Sequence, residues 1–279
     1  MPRADPGAGS GPCLRRPGGV VLSRSWVWPT LVLGGLLLGW ELLVRLAQIP
    51  AYTLPAPSLV ATTLYANFGS LAGSWWYTVK ITFGALALAC LGGVLIASVF
   101  ALSRPLERAL FPVAVVLQVT PIVAVAPLIL IYVESTTAAL LLCAWIVAFF
   151  PILSNTVIGL RAAEPNLRDL FRLYRATRWQ RLRLLLAPTA LPYFIAGLKI
   201  SGGLSLIGAV TAEMVAGAAG RETGLASRIL EASFRTETPK MFAALTLLVA
   251  TGVLIFWLFN SLSRLLLVRW HASESARPD

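Results

Sequence analysis

The chain alternates long apolar runs with short polar stretches, and this pattern dominates the sequence. A helix that crosses a bilayer needs about 20 consecutive, mostly apolar residues. Six runs meet this requirement, at 26–46, 76–102, 106–133, 137–160, 188–216 and 241–268. The pattern therefore predicts an all-α integral membrane protein with six transmembrane helices and one large polar loop between the fourth and the fifth.

Polar residues around the first span predict local details. Glu41 and Arg45 are four residues apart, so they are expected to pair on one helix face. Three prolines within 50–57 break any helix that follows. Ser58 is then placed to cap a short separate helix that ends at Phe68.

The third predicted span contains three prolines, Pro112, Pro121 and Pro127. A proline inside a helix removes a backbone hydrogen bond and clashes with the preceding turn. We expect kinks at Pro121 and Pro127, which either open a cavity or only bend the helix.

Composition supports a membrane protein, and the charge distribution predicts its orientation. The 279 residues are 57% hydrophobic and 13% charged, whereas soluble domains carry about 25% charged residues. A net charge of +11 would suggest nucleic acid in a soluble protein. Here 16 Lys and Arg fall on the side of both termini, four on the other side and three inside spans. This bias predicts cytoplasmic N- and C-termini, a lipid bilayer as the environment and no nucleic-acid partner.

The same pattern predicts the domain organisation. Residues 1–24, rich in Gly, Pro and Arg, are expected to form a disordered cytoplasmic tail. Residues 25–270 form one six-helix transmembrane domain that includes the basic loop 161–187, and residues 271–279 form a cytoplasmic tail. The three cysteines are scattered without metal or redox spacing, and the sole histidine, His271, lies in the tail.

The loop 161–187, RAAEPNLRDLFRLYRATRWQRLRLLLA, carries seven arginines and two acidic residues. Pro165 suits the first turn of a helix, and Asn166 with Asp169 resembles a capping pair. The apolar residues that would share one helix face are Leu167, Leu170, Phe171 and Tyr174. A second amphipathic stretch follows at 178–186. An ordered basic loop of this kind either docks another protein or lies on anionic lipid as an interfacial helix pair.

Several positions in this loop follow the spacing of a known signature: Asp169-Leu170-Phe171, Arg175, Leu185 and Ala187-Pro188. They resemble the EAA signature of permease subunits of ATP-binding-cassette (ABC) importers, which reads E-A-A, three residues, G, nine residues, I-x-L-P. Pro188 is retained, whereas Asp169 replaces the glutamate, Leu170-Phe171 the alanine pair and Arg175 the glycine. The resemblance covers most of the chain. Within the family, the chain is similar to the branch that imports nitrate, sulfonate, taurine and pyrimidine precursors.

The resemblance implies a permease of the cell inner membrane that works as a pair, here expected to be a homodimer. It implies a separate ATP-binding subunit that receives the loop in a groove, so the chain itself is expected to be no enzyme and to hold no cofactor or metal. An extracytoplasmic solute-binding protein would deliver the solute. The residues expected to form the ATPase-docking loop are Asp169, Arg172, Tyr174, Arg175, Arg178 and Pro188. Arg175 is also a candidate for an ion pair with the ATPase.

The resemblance places the translocation pathway along the fifth span, with Lys199, Gly202, Gly203 and Glu213 as candidates. Lys199 and Glu213 are 14 residues apart, which predicts one face and a separation of about 21 Å. Lys199 either serves the pathway or extends its amine toward water. Glu213 either serves the pathway or is an interfacial acid with a structural partner. The glycines of this span, with Gly197 and Gly208, favour close packing within the subunit or at a two-fold seam.

The polar stretch 217–240 predicts an amphipathic outer helix that acts as a gate, as a docking surface for the binding protein or only as a solvated loop. Three functions remain open: an importer permease, an intramembrane enzyme and an independent secondary transporter. Against an enzyme, the sequence contains no HExxH motif and no carboxylate cluster. Against a secondary transporter, it shows no clear inverted repeats or ion-coupling groups. The expected solute is a small organic compound such as a pyrimidine or thiamine precursor or a riboflavin-like compound, with sulfonate, taurine or nitrate as the alternative.

Overall fold

A computed structural model describes residues 24–221 and 224–267, and all the regular secondary structure within these residues is helical. The helices are α1 (Arg24–Leu46), α2 (Pro57–Leu102), α3 (Arg104–Val119), α4 (Ile122–Tyr132), α5 (Thr136–Arg161), α6 (Pro165–Leu173), α7 (Arg178–Arg181), α8 (Ala187–Ala218), α9 (Leu225–Phe234) and α10 (Thr238–Leu267). A π-helical turn, Leu182–Leu186, joins α7 to α8. The predictions for residues 1–23 and 268–279 lie outside the described residues.

Five helical stretches of the described residues are long and apolar enough to cross a membrane. They are α1, α2, α5, α10 and the continuous run from α7 through α8. The pair α3 and α4 meets the same criterion together but is bent by 99°. With this bent pair counted as one span, the all-α fold has the six spans that the hydrophobic pattern predicts.

The helix α2 is longer than predicted. It runs unbroken for 46 residues, or about 69 Å at 1.5 Å per residue, so it exceeds a hydrocarbon core of about 30 Å. The prediction of a separate helix ending at Phe68 is therefore wrong. Residues 69–75 lack proline, and Leu71 is buried in a cluster with Leu225 of α9 and Ala243 of α10. This packing keeps the segment helical despite its glycines.

The N-terminus of α2 is held by a residue of α1. Ala56 rather than Ser58 occupies the N-cap position, so the predicted cap is wrong. The Glu41 carboxylate accepts hydrogen bonds from the backbone N–H of Ser58 (3.0 Å) and from its hydroxyl (2.8 Å). Arg45 Nε lies 2.6 Å from the same carboxylate, which confirms the predicted pair. A carboxylate at this position satisfies the free N–H groups of the first turn.

The third predicted span breaks at one proline only. Thr120 has an extended backbone conformation and Pro121 is the N-cap of α4, as expected because a residue before proline disfavours the helical conformation. The kink predicted at Pro121 is confirmed. Pro112 and Pro127 lie inside the continuous helices α3 and α4, so neither of these prolines ends a helix.

The centre of the fold is the contact between α5 and α8. A Cβ added to Gly208 would lie 2.9 Å from the Cα of Ala144, and one added to Gly197 would lie 2.8 Å from the carbonyl oxygen of Pro151. The Ser201 hydroxyl donates to the carbonyl of Ala148 at 2.7 Å. Small side chains allow the two backbones to approach closely and maximise van der Waals contact. The fold therefore uses Gly197 and Gly208, two of the five glycines of α8, for close packing of α8 against α5.

Candidate docking loop and translocation helix

The helix α6 stands apart from the spans, as the basic sequence predicts. It begins at Pro165, after three connecting residues that follow α5, and none of its nine residues is buried. The predicted capping pair of Asn166 and Asp169 is wrong, because Glu164 is the N-cap and makes no side-chain capping bond. The helix starts too early for Asn166 to cap it. Asp169 instead pairs with Arg172 at 3.0 Å.

The turn after α6 has the conformation that the signature glycine would favour. Arg175 has a φ of +51°, a left-handed conformation that costs non-glycine residues about 1 kcal/mol or more. Its N–H bonds to the carbonyl of Arg172 (2.9 Å), and the N–H of Ala176 bonds to the carbonyl of Phe171 (3.0 Å). These two bonds form a Schellman motif, in which glycine is the preferred residue at the position of Arg175.

A second short helix returns the chain to the membrane. The Thr177 hydroxyl accepts a bond from the N–H of Gln180, and the Gln180 side chain accepts one from the N–H of Thr177. This capping box begins α7, and its T-x-x-Q pattern is a signal that the sequence prediction missed. The chain then passes through Pro188 by widening into the π-helical turn, because proline lacks an N–H and clashes with the preceding turn. Helix α8 follows without a break.

The outer surface of this segment is apolar and basic. Leu173 and Tyr174 are about four-fifths exposed (81% and 79%) and Trp179 is 65% exposed. Between α6 and α7 lies a groove of about 270 Å³. Phe171 instead packs against the main hydrophobic core of the bundle. The predicted apolar face is therefore divided, with Phe171 directed toward the core and Tyr174 exposed. Arg178 Nη1 reaches the carbonyl of Leu102 at 3.4 Å and ties the segment to the end of α2.

Two of the predicted pathway residues share an open face of α8. Lys199 is exposed, and a Cβ added to Gly203 would meet no described atom within 4 Å. Ile200 and Ile207, one helical turn on either side of Gly203, are 51% and 58% exposed. This spacing defines one stripe, which we call the open face of α8.

Gly202 lies on a different side of the helix. A Cβ there would come 2.6 Å from the ring of Phe259, on α10. The position therefore serves contact between α8 and α10 within the subunit, whereas Gly203, its neighbour, is free of such contact.

Glu213 is fully buried. Its Oε2 accepts hydrogen bonds from the Thr78 hydroxyl (3.0 Å) and from the N–H of Ala226 (3.1 Å), while Thr78 Oγ1 accepts from the N–H of Leu225 (2.9 Å). These bonds satisfy two backbone N–H groups in the first turn of α9. The N-cap residue of α9, Gly224, lies so close to the Glu213 carboxylate that a Cβ there would come 2.2 Å from Oε1. Glu213 and Lys199 lie about 40° apart around α8, so they share a side of the helix, but α9 covers Glu213 whereas Lys199 is exposed. The structural partners of Glu213 are therefore Thr78 of α2 and the first turn of α9.

The outer helix α9 confirms the predicted amphipathic element at 225–234. Its buried residues pack against α2, α8 and α10, and Phe234 is 77% exposed. Glu231 pairs with Arg228 (2.8 Å) and Arg235 (2.9 Å). The hydrogen bond from Arg228 lowers the pKa of Glu231 below its ordinary value. Within the described residues, no group of three or more His, Cys, Asp or Glu side chains is arranged to hold a metal ion.

Residues 89–270 match the family described as the binding-protein-dependent transport system inner membrane component. The chain belongs to this family of ABC importer permeases. Over 254 residues it is 36% identical to the riboflavin transport system permease protein RibX of Chloroflexus aurantiacus, covering 88% of this chain and 92% of the relative. It is 30% identical over 240 residues to the formylaminopyrimidine transport permease protein ThiX of Halalkalibacterium halodurans, covering 86% and 94%.

Solved structures share the fold of this permease. An inward-facing crystal form of the MetNI methionine ABC transporter aligns with a TM-score of 0.59 and 20% identity, over 71% of this chain and 97% of that one. An amino acid ABC transporter with histidines aligns with a TM-score of 0.58 and 17% identity, over 72% and 96%. The predicted resemblance, the all-α membrane fold and the importer-permease function are confirmed, and the permease is a multi-pass membrane protein.

Proposed function

We propose that two copies of this permease enclose one translocation pathway, driven by a separate ATP-binding subunit and supplied by an extracytoplasmic solute-binding protein. The observation that carries the ATPase contact is the exposed helix α6, which ends in a left-handed turn where the importer signature has glycine. The membership in a binding-protein-dependent transport family supports the remaining partners.

The docking surface in this proposal is the segment 165–188. Leu173 and Tyr174 enter an apolar groove of the ATPase. The polar positions predicted from the sequence line the contact: Asp169, Arg172, Arg175 and Arg178. Pro188 acts indirectly, because it shapes the turn that joins the segment to α8. Since α7, the π-helical turn and α8 are continuous, movement of the docked segment moves α8 as well.

The open face of α8 is the part of the pathway contributed by this helix. Lys199 and Gly203 lie on it, so a second copy could approach closely at Gly203 while Lys199 faces the solute or the aqueous cavity. Gly202 and Glu213 support this face from behind by holding α10 and α9 in place. Alternating exposure of the face to the two sides would follow the ATPase cycle.

The segment and both termini are assigned to the cytoplasm on the basis of the positive-inside bias. Single cysteines at exposed positions test this assignment: Asn166→Cys on α6 and Glu134→Cys between α4 and α5. A membrane-impermeant maleimide added to intact cells should label the second variant alone. Labelling of Asn166→Cys from outside would reject the orientation and the ATPase docking with it.

The solute proposed is a small, planar organic compound related to riboflavin or to a pyrimidine precursor. It rests on the relatives RibX and ThiX, at 36% and 30% identity. Sulfonate, taurine or nitrate is the alternative, and the relative for aliphatic sulfonates, SsuC of Bacillus subtilis, has 27% identity. A thermal-shift screen of the cognate binding protein with these compounds distinguishes them, since only a bound compound raises its melting temperature.

Reconstitution tests the whole assembly. Liposomes that contain the permease, its ATPase and the binding protein should accumulate the solute only with ATP. Liposomes with the permease alone, or with a hydrolysis-deficient ATPase, are the matched controls and should not accumulate it. Concentrative uptake by the permease alone would instead indicate a secondary transporter.

A further inference from the structure

A basic cavity of about 680 Å³ lies behind the docking loop, where α2 and α5 end and α3 begins. Its volume falls in the range of about 300–1,000 Å³ that is usual for small-ligand sites. The arginines that line it are Arg104, Arg108, Arg161, Arg168, Arg172 and Arg181. Glu107 is the one acidic side chain among the lining residues.

Most of these arginines lack a carboxylate partner. Arg161 pairs with Glu107, and Arg172 pairs with Asp169. Among the described residues, the other four form no ion pair. Arg168 donates from Nη2 to the carbonyl of Arg161, but its Nε is buried and has no acceptor. Four uncompensated guanidinium groups around one cavity repel each other unless an anion joins them.

One part of the cavity wall is apolar and the other part is basic. Its apolar wall comes from the last turns of two membrane helices, with Ala97 and Phe100 on α2 and Val157 and Leu160 on α5. Its basic wall comes from α3, the last residue of α5, α6 and α7. A ligand that fills both parts needs an apolar portion at membrane depth and an anionic group at the interface, which is the shape of a phospholipid.

We propose that this cavity binds the phosphate of an anionic phospholipid headgroup from the adjacent leaflet. Guanidinium groups bind phosphate oxygens by paired, charge-assisted hydrogen bonds, and basic pockets between membrane helices are suited to anionic headgroups. The bound phosphate joins Arg104 and Arg108 of α3 to Arg168 of α6 and Arg181 of α7. It thereby fixes the docking loop against the bundle from the membrane side, whereas the outer groove stays free.

The test uses the permease in complex with its ATPase. Native mass spectrometry compares the retention of phosphatidylglycerol with that of phosphatidylcholine of the same acyl chains, in the wild type and in two double variants. Arg104→Gln/Arg108→Gln removes two charges from the cavity. Arg183→Gln/Arg264→Gln removes two from exposed positions that do not line it. We expect a preference for phosphatidylglycerol of about tenfold in the wild type and the control, and its loss in the cavity variant.

Equal loss of preference in the control would overturn the proposal, because general surface charge would then explain the binding. Stabilisation of the lipid-free complex by glycerol phosphate to the same extent as by phosphatidylglycerol would overturn the lipid as the source.

If the cavity variant fails to assemble, hydrogen exchange of the wild-type complex provides a second test. Phosphatidylglycerol nanodiscs should then protect residues 104–108 and 168–181 relative to phosphatidylcholine nanodiscs. Equal exchange in the two lipids, or protection that appears only when the ATPase is added, would overturn the proposal.

Discussion

The two short helices outside the spans, α6 and α9, have opposite relations to the rest of the permease. Both are about ten residues long and both adjoin an end of the long helical run that contains α8. None of the residues of α6 is buried, whereas α9 buries four of its ten and is bonded through its first turn to Glu213. The comparison indicates that α9 is part of the stable fold, while α6 is held in position and left available for a partner.

The largest expected effect comes from removing the bonds that hold α9. Glu213→Ala leaves the N–H of Ala226 and the Thr78 hydroxyl buried without this acceptor, which should lower the free energy of unfolding by about 2–3 kcal/mol. Glu213→Gln keeps an acceptor oxygen and should lose less. Thermal unfolding of the purified permease measures both, and a melting temperature of Glu213→Ala equal to that of the wild type would show that α9 is not held in this way.

A matched pair of glycines separates packing within the subunit from the open face of α8. Gly208→Leu places a side chain against the backbone of Ala144 and should destabilise the permease by about 1–3 kcal/mol. Gly203→Leu has free space in one subunit, so its melting temperature should change little while assembly of the pair and transport decrease. Unchanged assembly and transport in Gly203→Leu would remove this position from the pathway.

The corresponding test of α6 leaves the fold intact and measures the coupling of ATP hydrolysis to uptake. Arg172→Glu/Arg175→Glu reverses two charges on the docking loop and should reduce ATP-driven uptake by about tenfold, since like charges across an interface are costly. Arg235→Glu at the C-cap of α9 is the control, because it also reverses a charge at the end of a short helix outside the spans. Membrane insertion is checked by protease accessibility, and normal uptake by the double variant would contradict the docking assignment.

The smallest effect is expected from relieving strain at the end of α6. Arg175→Gly suits the left-handed conformation and should raise the free energy of unfolding by about 1 kcal/mol. Arg172→Gly, one turn earlier in a helical conformation, should lower it by about the same amount. Calorimetry of the two variants measures the difference, and a lower stability of Arg175→Gly would show that its guanidinium makes a stabilising contact in the free permease.

The sequence predicts the spans and the helical basic loop 161–187 well because both depend on local composition. An apolar run long enough to cross a bilayer, and a proline followed by an arginine-rich amphipathic run, are readable without tertiary contacts. The continuity of α2 is not readable in this way, since it depends on Leu71 meeting α9 and α10. The burial of Glu213 is likewise decided by residues distant in sequence, Thr78 and Ala226.

Some missed features did have a sequence signal. Thr177 and Gln180 form a capping-box pattern at the start of α7, and Glu41 precedes the proline-rich turn that leads to Ser58. The signature identifies the glycine position, but only the backbone conformation of Arg175 reveals that the left-handed turn is retained without glycine. Sequence spacing identified the position, and the structure supplied its geometry.

The left-handed arginine that ends α6 has a consequence for cells that contain several importers of this kind. In the proposed docking arrangement, an ATPase whose groove fits a glycine turn would have no room for the guanidinium of Arg175, and one that fits the guanidinium would leave a gap beside glycine. We therefore expect this one position to help each permease distinguish its own ATPase from those of parallel uptake systems.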